Sequence, residues 1–337
     1  MPMAEQGAGV LVTGSAGFVG SHLCDALAST ISASTALHGL DIATPSRPHR
    51  GSTLRIDIRM PAALRRAAAS IRPETVVHLA ARAEVVVPFS ELGDLLGTNV
   101  DGTLHVLEEF APRRFVFASS CAVYGDVRTG LAPTAWAAVN PLGAYGMSKA
   151  AGEMICRDWA RETGAVAIRL RLGNVIGPRC RGLVPYLVRH AQRHPDGDVP
   201  ASLRGNGTIV RDYVPVEHVV QVVRASLVST CAAGASPVYN VGSARGLTNR
   251  EVAGIVKRVL AEQGLVLRMD FHTPVAHGEA KRAVLDIRAT TRELGLRPPA
   301  ADAIVDAIER ATRDWMGNDT LPPKPRAGDP RLQRGRA

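Results

Sequence analysis

Tyr145 and Lys149 stand four residues apart, in a segment that follows two helix-breaking residues, Pro141 and Gly143. This context predicts a helix that begins just before Tyr145. Residues four apart lie on one face of a helix, so both side chains would reach the same cleft. A neighbouring ammonium group favours the phenolate form of a tyrosine, whose ordinary pKa is about 10. The pair therefore predicts a general base for a substrate hydroxyl, although helices also carry such pairs by chance on a solvated face.

A glycine-rich segment near the start of the chain is typical of a phosphate-binding loop. The apolar residues 10–12 predict a buried strand, and Gly14, Gly17 and Gly20 follow it before helical periodicity begins. Glycines at these positions permit a tight turn, a close approach of the backbone to a pyrophosphate, and close packing of the helix on the strand. The segment predicts that a helix N-terminus binds a dinucleotide.

Asp41 ends the next predicted strand, at the position where a dinucleotide's ribose would be bound. A carboxylate there accepts a hydrogen bond from a 2′-hydroxyl and repels a 2′-phosphate. The sequence therefore predicts NAD rather than NADP. Arg47 and Arg50 follow in the loop and could weaken that preference.

Two further predicted strands end in polar residues. Strand 115–119 runs into Ser119 and Ser120, and strand 166–172 is followed by Gly173 and Asn174. The carboxyl ends of parallel strands border the ligand crevice of such sheets, so these side chains are expected near Tyr145. Serines at a strand end also commonly cap a turn or helix, which is the alternative interpretation.

The elements that would position these residues alternate along the chain. Predicted strands cover residues 10–13, 37–41, 54–58, 75–79, 115–119 and 166–172, and predicted helices lie near residues 18–30, 61–70, 92–110 and 145–163. This alternation predicts an α/β fold with a Rossmann-type, doubly wound parallel sheet.

Taken in order, these motifs resemble the extended short-chain dehydrogenase/reductase family, in particular its nucleotide-sugar epimerase and dehydratase branch. The resemblance runs from about residue 10 to residue 315. Besides the glycine-rich loop, the serine strand and the Tyr/Lys helix, it includes Asp57-Ile58-Arg59, His78-Leu79-Ala80-Ala81, Thr98-Asn99-Val100 and Asn174-Val175-Ile176-Gly177-Pro178.

The resemblance implies an NAD cofactor and a set of residues that contact it. Lys149 would hold the nicotinamide ribose as well as tune Tyr145, and Ser119 would stand behind the reacting groups. The implied cofactor-binding residues are Gly14, Gly17, Phe18, Val19, Gly20, Asp41, Asp57, Ile58, Leu79, Ala80, Ala81, Asn99, Ala118, Ser119, Tyr145 and Lys149.

The resemblance also implies a nucleotide-diphosphate sugar as substrate. Ser120 would join Tyr145 and Lys149 as the third catalytic residue, and an arginine fork such as Arg211 suits phosphate geometry. The implied substrate-binding residues are Ser120, Asn174, Val184, Arg211 and Glu84. Three alternatives stay open: Arg211 in a salt bridge with Asp212 or Glu217, Asn174 as a satisfied turn amide, and Glu84 as an exposed loop acid.

The residues after Ser120 bear on the type of reaction. The 4,6-dehydratases of the family carry an Asp-Glu pair there, and its decarboxylases carry a glutamate at the second position, whereas this chain has Cys121 and Ala122. Elimination and decarboxylation need a proton carrier, which these residues do not obviously supply. The expected function is therefore a nucleotide-sugar 4-epimerase, which oxidises C4 transiently and returns the hydride. The alternatives are a decarboxylase, a 4,6-dehydratase or a 4-keto reductase that uses Cys121 or Glu84 instead, and a non-catalytic NAD-sensing module.

One departure from the family concerns the diphosphate. Ala276 stands where the family carries a phosphate-binding arginine, so either Arg211, Lys281 or Arg282 compensates or the substrate is held differently.

Composition narrows the other function classes. The chain has 337 residues with a net charge of +9, and its aromatic content is only 4%. From residue 318 onward, five basic and two acidic residues contribute +3 of that charge. No aromatic and basic platform for stacking bases is visible, so nucleic-acid binding is not expected. No metal-ligand spacing, membrane-length apolar stretch or signal peptide is recognised either, and the five scattered cysteines predict reduced thiols in the cytoplasm.

The predicted organisation has two lobes and a tail. Residues 1–176 form an NAD-binding Rossmann domain to which 211–242 returns, residues 177–210 and 243–316 form a smaller α/β substrate-binding lobe, and 317–337 form a disordered basic tail. Thr248 and Glu251 predict a capping box at a helix start. The resemblance further implies a homodimer through the helices near 92–110 and 145–163.

Overall fold

Strands and helices alternate along the chain in the order that the sequence predicts. The structure is a computed structural model, and it describes residues 9–32, 35–45, 51–126, 133–275 and 279–317. Within these residues the strands are β1 (Val10–Thr13), β2 (Leu37–Asp41), β3 (Ser52–Arg55), β4 (Thr75–His78), β5 (Arg114–Ser120), β6 (Val166–Leu172), β7 (Asn174–Ile176), β8 (Ala201–Arg204), β9 (Val210–Pro215), β10 (Val238–Val241), β11 (Gly246–Thr248), β12 (Met269–Thr273) and β13 (Arg282–Ala283).

The helices in the same part of the chain are α1 (Phe18–Ala28), α2 (Pro61–Ile71), α3 (Leu92–Leu96), α4 (Gly102–Phe110), α5 (Ala144–Thr163), α6 (Leu183–Arg193), α7 (Val216–Val228), α8 (Asn249–Ala261), α9 (Arg288–Leu294) and α10 (Ala301–Gly317). A π-helical turn, Gly97–Asp101, joins α3 to α4, and a 3-10 turn, Cys121–Tyr124, follows β5. None of the helices in the described ranges is long and apolar enough to span a membrane.

The larger sheet contains seven parallel strands in the order β10-β6-β5-β4-β1-β2-β3. The chain first moves outward from β1 to β3, and it then continues from β4 on the other side of β1. This reversal of direction opens a crevice outside the carboxyl ends of β1 and β4, which is where ligands bind in such sheets. The sheet therefore confirms the predicted Rossmann-type α/β fold.

Alternate residues of β1 supply the two faces of this sheet. Val10 and Val12 pack with residues of α1 and α7, whereas Leu11 packs on the opposite side with residues of α2, α4 and α5. Successive side chains of a strand point to opposite faces, so an uninterrupted apolar run is what a sheet covered on both sides requires.

A second hydrophobic core lies among α6, α8 and α10 and includes Leu187, Val256 and Ile308. Beside it, β7, β9, β11 and β13 form a small sheet, and β8 pairs with β12. The strand that carries Arg211, β9, belongs to this small sheet, while α7 packs on the large sheet and β10 joins it. The predicted division of the chain into two lobes stays a prediction.

Some predicted boundaries differ from the structure. The strand predicted at 54–58 ends at Arg55, because its partner β2 ends opposite it at Asp41. The helix predicted at 92–110 is interrupted by the π-helical turn. The capping box is confirmed, since the side chains of Thr248 and Glu251 each accept a bond from the other's backbone N–H. Arg47, Arg50, Ala276 and the tail from residue 318 lie outside the described residues.

Candidate active site

Three side chains predicted to be catalytic meet where β5 ends against the first turns of α5. The Tyr145 hydroxyl is hydrogen-bonded to the side chain of Ser120, the last residue of β5. One turn further along α5, the Lys149 ammonium donates a hydrogen bond to the main-chain oxygen of Ala118 at 2.8 Å. All three side chains are buried, with Lys149 only 4% exposed. The structure thus brings together Ser120, Tyr145 and Lys149 as the sequence predicts.

The electrostatics of Tyr145 differ from the expectation. Burial raises the pKa of its phenol to about 12, and the hydrogen bond with Ser120 offsets only part of that rise. Burial also lowers the pKa of Lys149 to about 8. The expectation that the neighbouring Lys149 brings the pKa of Tyr145 down is not met in the protein alone, because loss of solvent raises that pKa.

Asn99 lies inside the π-helical turn and fixes the approach of α5. Its side-chain amide donates to Ser148 Oγ at 2.9 Å and to the main-chain oxygen of Arg82 at 2.9 Å, and its oxygen accepts from the Arg82 N–H at 2.8 Å. Single π-helical turns inside α-helices frequently occur at functional sites. The predicted cofactor residue Asn99 therefore stands between the loop after β4 and the helix that carries Tyr145.

The glycine-rich loop is packed too tightly for side chains. Gly14 has φ +71°, and a Cβ there would lie 2.7 Å from the Ala80 nitrogen, while a Cβ on Gly20 would lie 2.0 Å from the Gly14 oxygen. The loop after β4, which contains Leu79, Ala80 and Ala81, therefore touches the start of the glycine-rich loop. These close contacts place both segments at the crevice between β1 and β4.

Several features of this crevice fit the dinucleotide predicted from the sequence. Helix α1 begins without a side-chain cap, so the main-chain N–H groups of its first turn face the loop. The Ser15 hydroxyl is buried, and no hydrogen-bond partner within the described residues satisfies it. Asp41 accepts hydrogen bonds from the N–H groups of Ala16 and Ala43, each at 3.0 Å, which positions its carboxylate beside the glycine-rich loop. A nucleotide's ribose and phosphates match this set of donors and acceptors.

The side chains of the other predicted cofactor residues make different kinds of contact. Asp57 is paired with Arg59 at 2.7 Å at the entrance to α2. Ile58 buries its side chain in the core shared by α2, α4 and α5, so any contact it makes with a ligand must come from its main chain. Phe18 is half-buried and packs against the second hydrophobic core. Val19, next to it, packs against the core between α1, α7 and the large sheet.

Arg211, the predicted phosphate-binding residue, lies on β9 of the small sheet. Arg211 on β9 donates to Glu279 at 3.0 Å, and both side chains are largely buried. Neither alternative partner pairs with it: Asp212 instead accepts four hydrogen bonds from Ser243, Ala244 and Leu285, and Glu217 pairs with Arg310. Arg211 therefore has an acidic partner that the sequence did not suggest.

The remaining predicted substrate residues differ in exposure: Asn174 is exposed, Glu84 is half-buried and Val184 is buried. Asn174 is exposed on β7, opposite Tyr213 of β9, and Glu84 forms an ion pair with Arg82 at 3.5 Å. Val184 buries its side chain, which is 1% exposed, inside the second hydrophobic core, and its contact with a substrate stays a prediction. A substrate could reach only its main chain, in the uncapped first turn of α6.

A buried ionic cluster behind the catalytic residues was not predicted. Glu153 on α5 accepts hydrogen bonds from Ser119 and from two nitrogens of Arg171. The signal was present in the sequence, since Glu153 continues the four-residue spacing of Tyr145 and Lys149. A glutamate at that spacing predicts a shared helix face, but only the fold shows that this face is buried.

The sequence is similar to those of NAD-dependent enzymes that act on nucleotide sugars. The sequence model of the NAD-dependent epimerase/dehydratase family matches residues 10–242. A dTDP-glucose 4,6-dehydratase of Actinoplanes is 30% identical over 334 residues, covering 91% of this chain and 99% of that protein. A UDP-glucose 4-epimerase of Mycoplasma pneumoniae is 27% identical over 331 residues, covering 88% and 94% of the two chains.

The fold is also similar to that of solved enzymes. The crystal structure of Thermus thermophilus UDP-glucose 4-epimerase in complex with NAD superposes with a TM-score of 0.81 at 30% identity. The superposition covers 92% of this chain and 99% of that one. Epimerases and dehydratases thus both share the architecture, and the chemistry has to be argued from the site itself.

Proposed function

The chain belongs to the NAD-dependent epimerase/dehydratase family of extended short-chain dehydrogenases/reductases, its cofactor is NAD, and we propose that it is a nucleotide-sugar 4-epimerase. One observation carries this proposal: the two residues that follow Ser120 bring no carboxylate to the reacting groups. Ala122 has no functional group, and burial raises the pKa of the Cys121 thiol to about 11. A thiol of that pKa is a poor proton donor near neutral pH.

The three catalytic side chains have separate roles in this proposal. Tyr145 takes the proton of the sugar's 4-hydroxyl and later returns one to the 4-keto oxygen. Ser120, bonded to Tyr145, holds the same oxygen and takes part in this proton transfer. Lys149 supplies a positive charge beside the phenol and a donor for the nicotinamide ribose. Bound NAD supplies the hydride acceptor and donor, together with the positive charge of its oxidised ring.

Epimerisation needs few protein groups besides these three side chains. The hydride is removed from C4 and returned to the opposite face of the sugar, so the pocket must be wide enough for the 4-keto sugar to rotate. Loss of water or carbon dioxide would need an additional acid or base at C5 or C6. A second candidate, a 4,6-dehydratase, is favoured by the Actinoplanes relative, which is a dTDP-glucose 4,6-dehydratase. A decarboxylase and a 4-keto reductase are the further alternatives.

Arg211 is our proposed anchor for the diphosphate. Its guanidinium is held by Glu279, which also lies 3.8 Å from Arg204. A diphosphate that binds Arg211 has to replace or share this carboxylate contact, which favours a bidentate phosphate over a weaker anion. Asn174 and Glu84 are proposed to contact the rest of the nucleotide sugar.

We also propose a homodimer in the cytoplasm. Leu104 on α4 and Met147 and Met154 on α5 are large apolar side chains that are at least 40% exposed, and α4 packs against α5. Such residues are typical of a surface that a second subunit covers. All five cysteines are free thiols, as expected in a reducing compartment.

Incubation with a panel of nucleotide sugars in deuterium oxide tests the reaction. The panel contains UDP-glucose, dTDP-glucose and UDP-glucuronic acid, and the products are read by mass spectrometry and NMR. We expect an isomeric product with inverted C4, no deuterium at C4 or C5, and no net consumption of NAD. A product lighter by water or carbon dioxide, or deuterium at C5, contradicts the epimerase and supports the dehydratase or decarboxylase.

A further inference from the structure

Helix α5 contacts β5 through three side chains that stand one turn apart. Tyr145 is bonded to Ser120, Lys149 donates to the Ala118 oxygen, and Glu153 accepts from Ser119 Oγ at 2.5 Å. Between Lys149 and Glu153 the helix lies directly against the strand, because a Cβ on Gly152 would lie 2.5 Å from the Phe117 ring. Glu153 is thus the third polar side chain that joins α5 to β5.

Glu153 is also the centre of a buried ionic cluster. Arg171 of β6 binds it through two nitrogens, at 2.8 and 2.6 Å, and Arg169 lies 3.8 Å away. Glu153 is 3% and Arg171 5% exposed. Paired charges that are this well buried are positioned rigidly, because each would pay a large desolvation penalty if it lost its partner.

Arg171 extends this cluster to the segments on either side of the catalytic residues. Its guanidinium lies 4.7 Å from the centre of the Tyr124 ring, in the 3-10 turn directly after Ser120. It also donates to the main-chain oxygen of Ala135 at 3.2 Å, in the segment that leads to Tyr145. The cluster therefore contacts β5, β6, α5, the turn after Ser120 and the segment before Tyr145.

We propose that Glu153 is a positioning residue for the reaction: through Ser119 and Arg171 it holds the strand end that carries Ser120 in register with the helix that carries Tyr145 and Lys149. The inference rests on the proposed function only for the first step, oxidation at C4, which the epimerase and its enzymatic alternatives that begin by oxidising C4 have in common.

Glu153 has a second effect, on the charge of Lys149. Three ionisable side chains interact electrostatically with Lys149: Glu153 and Cys156 of α5 and His78 of β4. Glu153 is in turn contacted by Arg169 and Arg171 of β6. Burial raises the pKa of Cys156 and lowers that of His78 to about 3, so both are neutral near pH 7. Among these groups, Glu153 supplies the negative charge that favours the ammonium form of Lys149.

Glu153→Gln, Ser119→Ala and a control, Glu162→Gln, test the proposal in the NAD-bound protein. Gln retains the shape of Glu153 without its charge, Ser119→Ala removes one hydrogen bond and keeps the charge, and Glu162 is exposed near the end of the same helix. The first readout is the NMR titration of isotope-labelled lysine, which is tractable because the chain contains only four lysines. The Lys149 signal is assigned with Lys149→Met.

The second readout is the rate at which bound NAD becomes reduced on mixing with the panel of nucleotide sugars. In Glu153→Gln we expect Lys149 to titrate at a lower pH than in the wild type, and reduction to slow by about ten- to a hundredfold. In Ser119→Ala we expect an unchanged Lys149 titration and about fivefold slower reduction. Glu162→Gln should match the wild type in both.

The outcomes separate the proposal from a merely structural role and from the proposed function. If Glu153→Gln only lowers the melting temperature, and leaves the Lys149 titration and the reduction rate per bound NAD unchanged, the proposal is overturned. Should Glu153→Gln fail to fold, the rate of Ser119→Ala decides: a slower rate supports the proposal and an unchanged rate overturns it. If the wild type converts no sugar of the panel, the proposed function fails, and the Lys149 titration, or the loss of the Tyr145–Ser120 hydrogen bond in a crystal structure of Ser119→Ala, tests the positioning role alone.

Discussion

In the proposed reaction, Tyr145 has to release its proton in a site that disfavours the phenolate. Burial raises its pKa to about 12, and the hydrogen bond with Ser120 lowers it again only in part. Lys149 is one turn away, but its ammonium donates to the Ala118 oxygen at 2.8 Å and lies 5.0 Å from the centre of the Phe117 ring. At the residue scale, we therefore expect the proposed base to act only when Ser120, Lys149 and the substrate hydroxyl are all aligned with it.

Replacing Tyr145 by phenylalanine tests this role directly. Tyr145→Phe deletes one hydroxyl, so we expect it to fold and to bind NAD normally, while turnover falls by roughly a hundred- to ten-thousandfold. Steady-state kinetics with the active nucleotide sugar measure the loss. Tyr186→Phe, on an exposed face of α6, is the control and should retain its rate. A Tyr145→Phe protein with more than about a tenth of wild-type turnover would contradict the assignment.

At the scale of elements, the helix after the glycine-rich loop can approach the crevice only because its contact positions lack side chains. A Cβ on Gly20 would lie 2.0 Å from the Gly14 oxygen, and main-chain atoms cannot move away as a flexible side chain can. The N-terminus of α1, with its free N–H groups, is thereby held close to the end of β1. We propose that loop and helix act as one unit in binding the cofactor.

We therefore expect Gly20→Ala to weaken NAD binding. The added methyl group has to displace the loop, at a cost of about 1–3 kcal/mol, which corresponds to roughly a five- to a 150-fold loss of affinity if the loop moves. Isothermal titration calorimetry with NAD measures the effect. Gly254→Ala in α8 is a matched control, because a Cβ there meets nothing within 4 Å, and it should bind NAD normally and unfold at a slightly higher temperature.

A second contact between elements involves His78 at the end of β4. Its ring is hydrogen-bonded to Thr13 of β1 at 2.8 Å and to Thr103 of α4 at 3.1 Å, and it is completely buried. Burial lowers the pKa of His78 from 6.5 to about 3. Below about pH 6.5 the unfolded chain therefore binds a proton that the folded protein does not, so the folded state loses stability as the pH falls from 6.5 towards 3.

Urea unfolding between about pH 7 and 4 measures this contribution. From His78 alone we expect the free energy of unfolding to fall by up to about 1.4 kcal/mol per pH unit in that range. His78→Gln removes the titrating group, so its stability should depend less steeply on pH, even if it is lower overall. His272→Gln, at a side chain that is 94% exposed, should keep the wild-type slope. An unchanged slope in His78→Gln would show that His78 does not resist protonation.

At the scale of the whole molecule, the glycine-rich loop and the second hydrophobic core are directly connected. Phe18 in the first turn of α1 packs partly against the core of α6, α8 and α10. His22 donates to the Pro178 oxygen at 3.0 Å, and Asp25 lies 3.7 Å from Arg179. The segment that leads into the second core is thus attached to the helix that follows the glycine-rich loop.

The proposed homodimer is a property of the same scale. Leu104→Glu together with Met154→Glu places two charges on the exposed apolar face of α4 and α5, where an interface would have to bury them. We expect this variant to be monomeric at micromolar concentration in size-exclusion chromatography with light scattering, and the wild type to be dimeric. Val228→Glu, on an exposed position of α7, is the control and should remain dimeric. A wild-type monomer would contradict the proposal.

The sequence by itself determined the features that depend on neighbours along the chain. The glycine spacing after β1, the helix that places Tyr145 and Lys149 on one face, the alternation of strands and helices, and the cofactor class all follow from local patterns. These patterns are informative because helix faces, strand faces and turn conformations are set within a few residues.

Only the tertiary structure decided what each side chain meets and how well water reaches it. Arg211 pairs with Glu279, which is 68 residues away, rather than with its neighbour Asp212. The side chain of Val184 lies in a core, and burial raises the pKa of Tyr145 instead of lowering it. Burial and long-range contacts arise when segments far apart in sequence pack together, and local spacing does not contain that information. For the same reason the ionic cluster around Glu153 became visible only when β5, β6 and α5 were seen side by side.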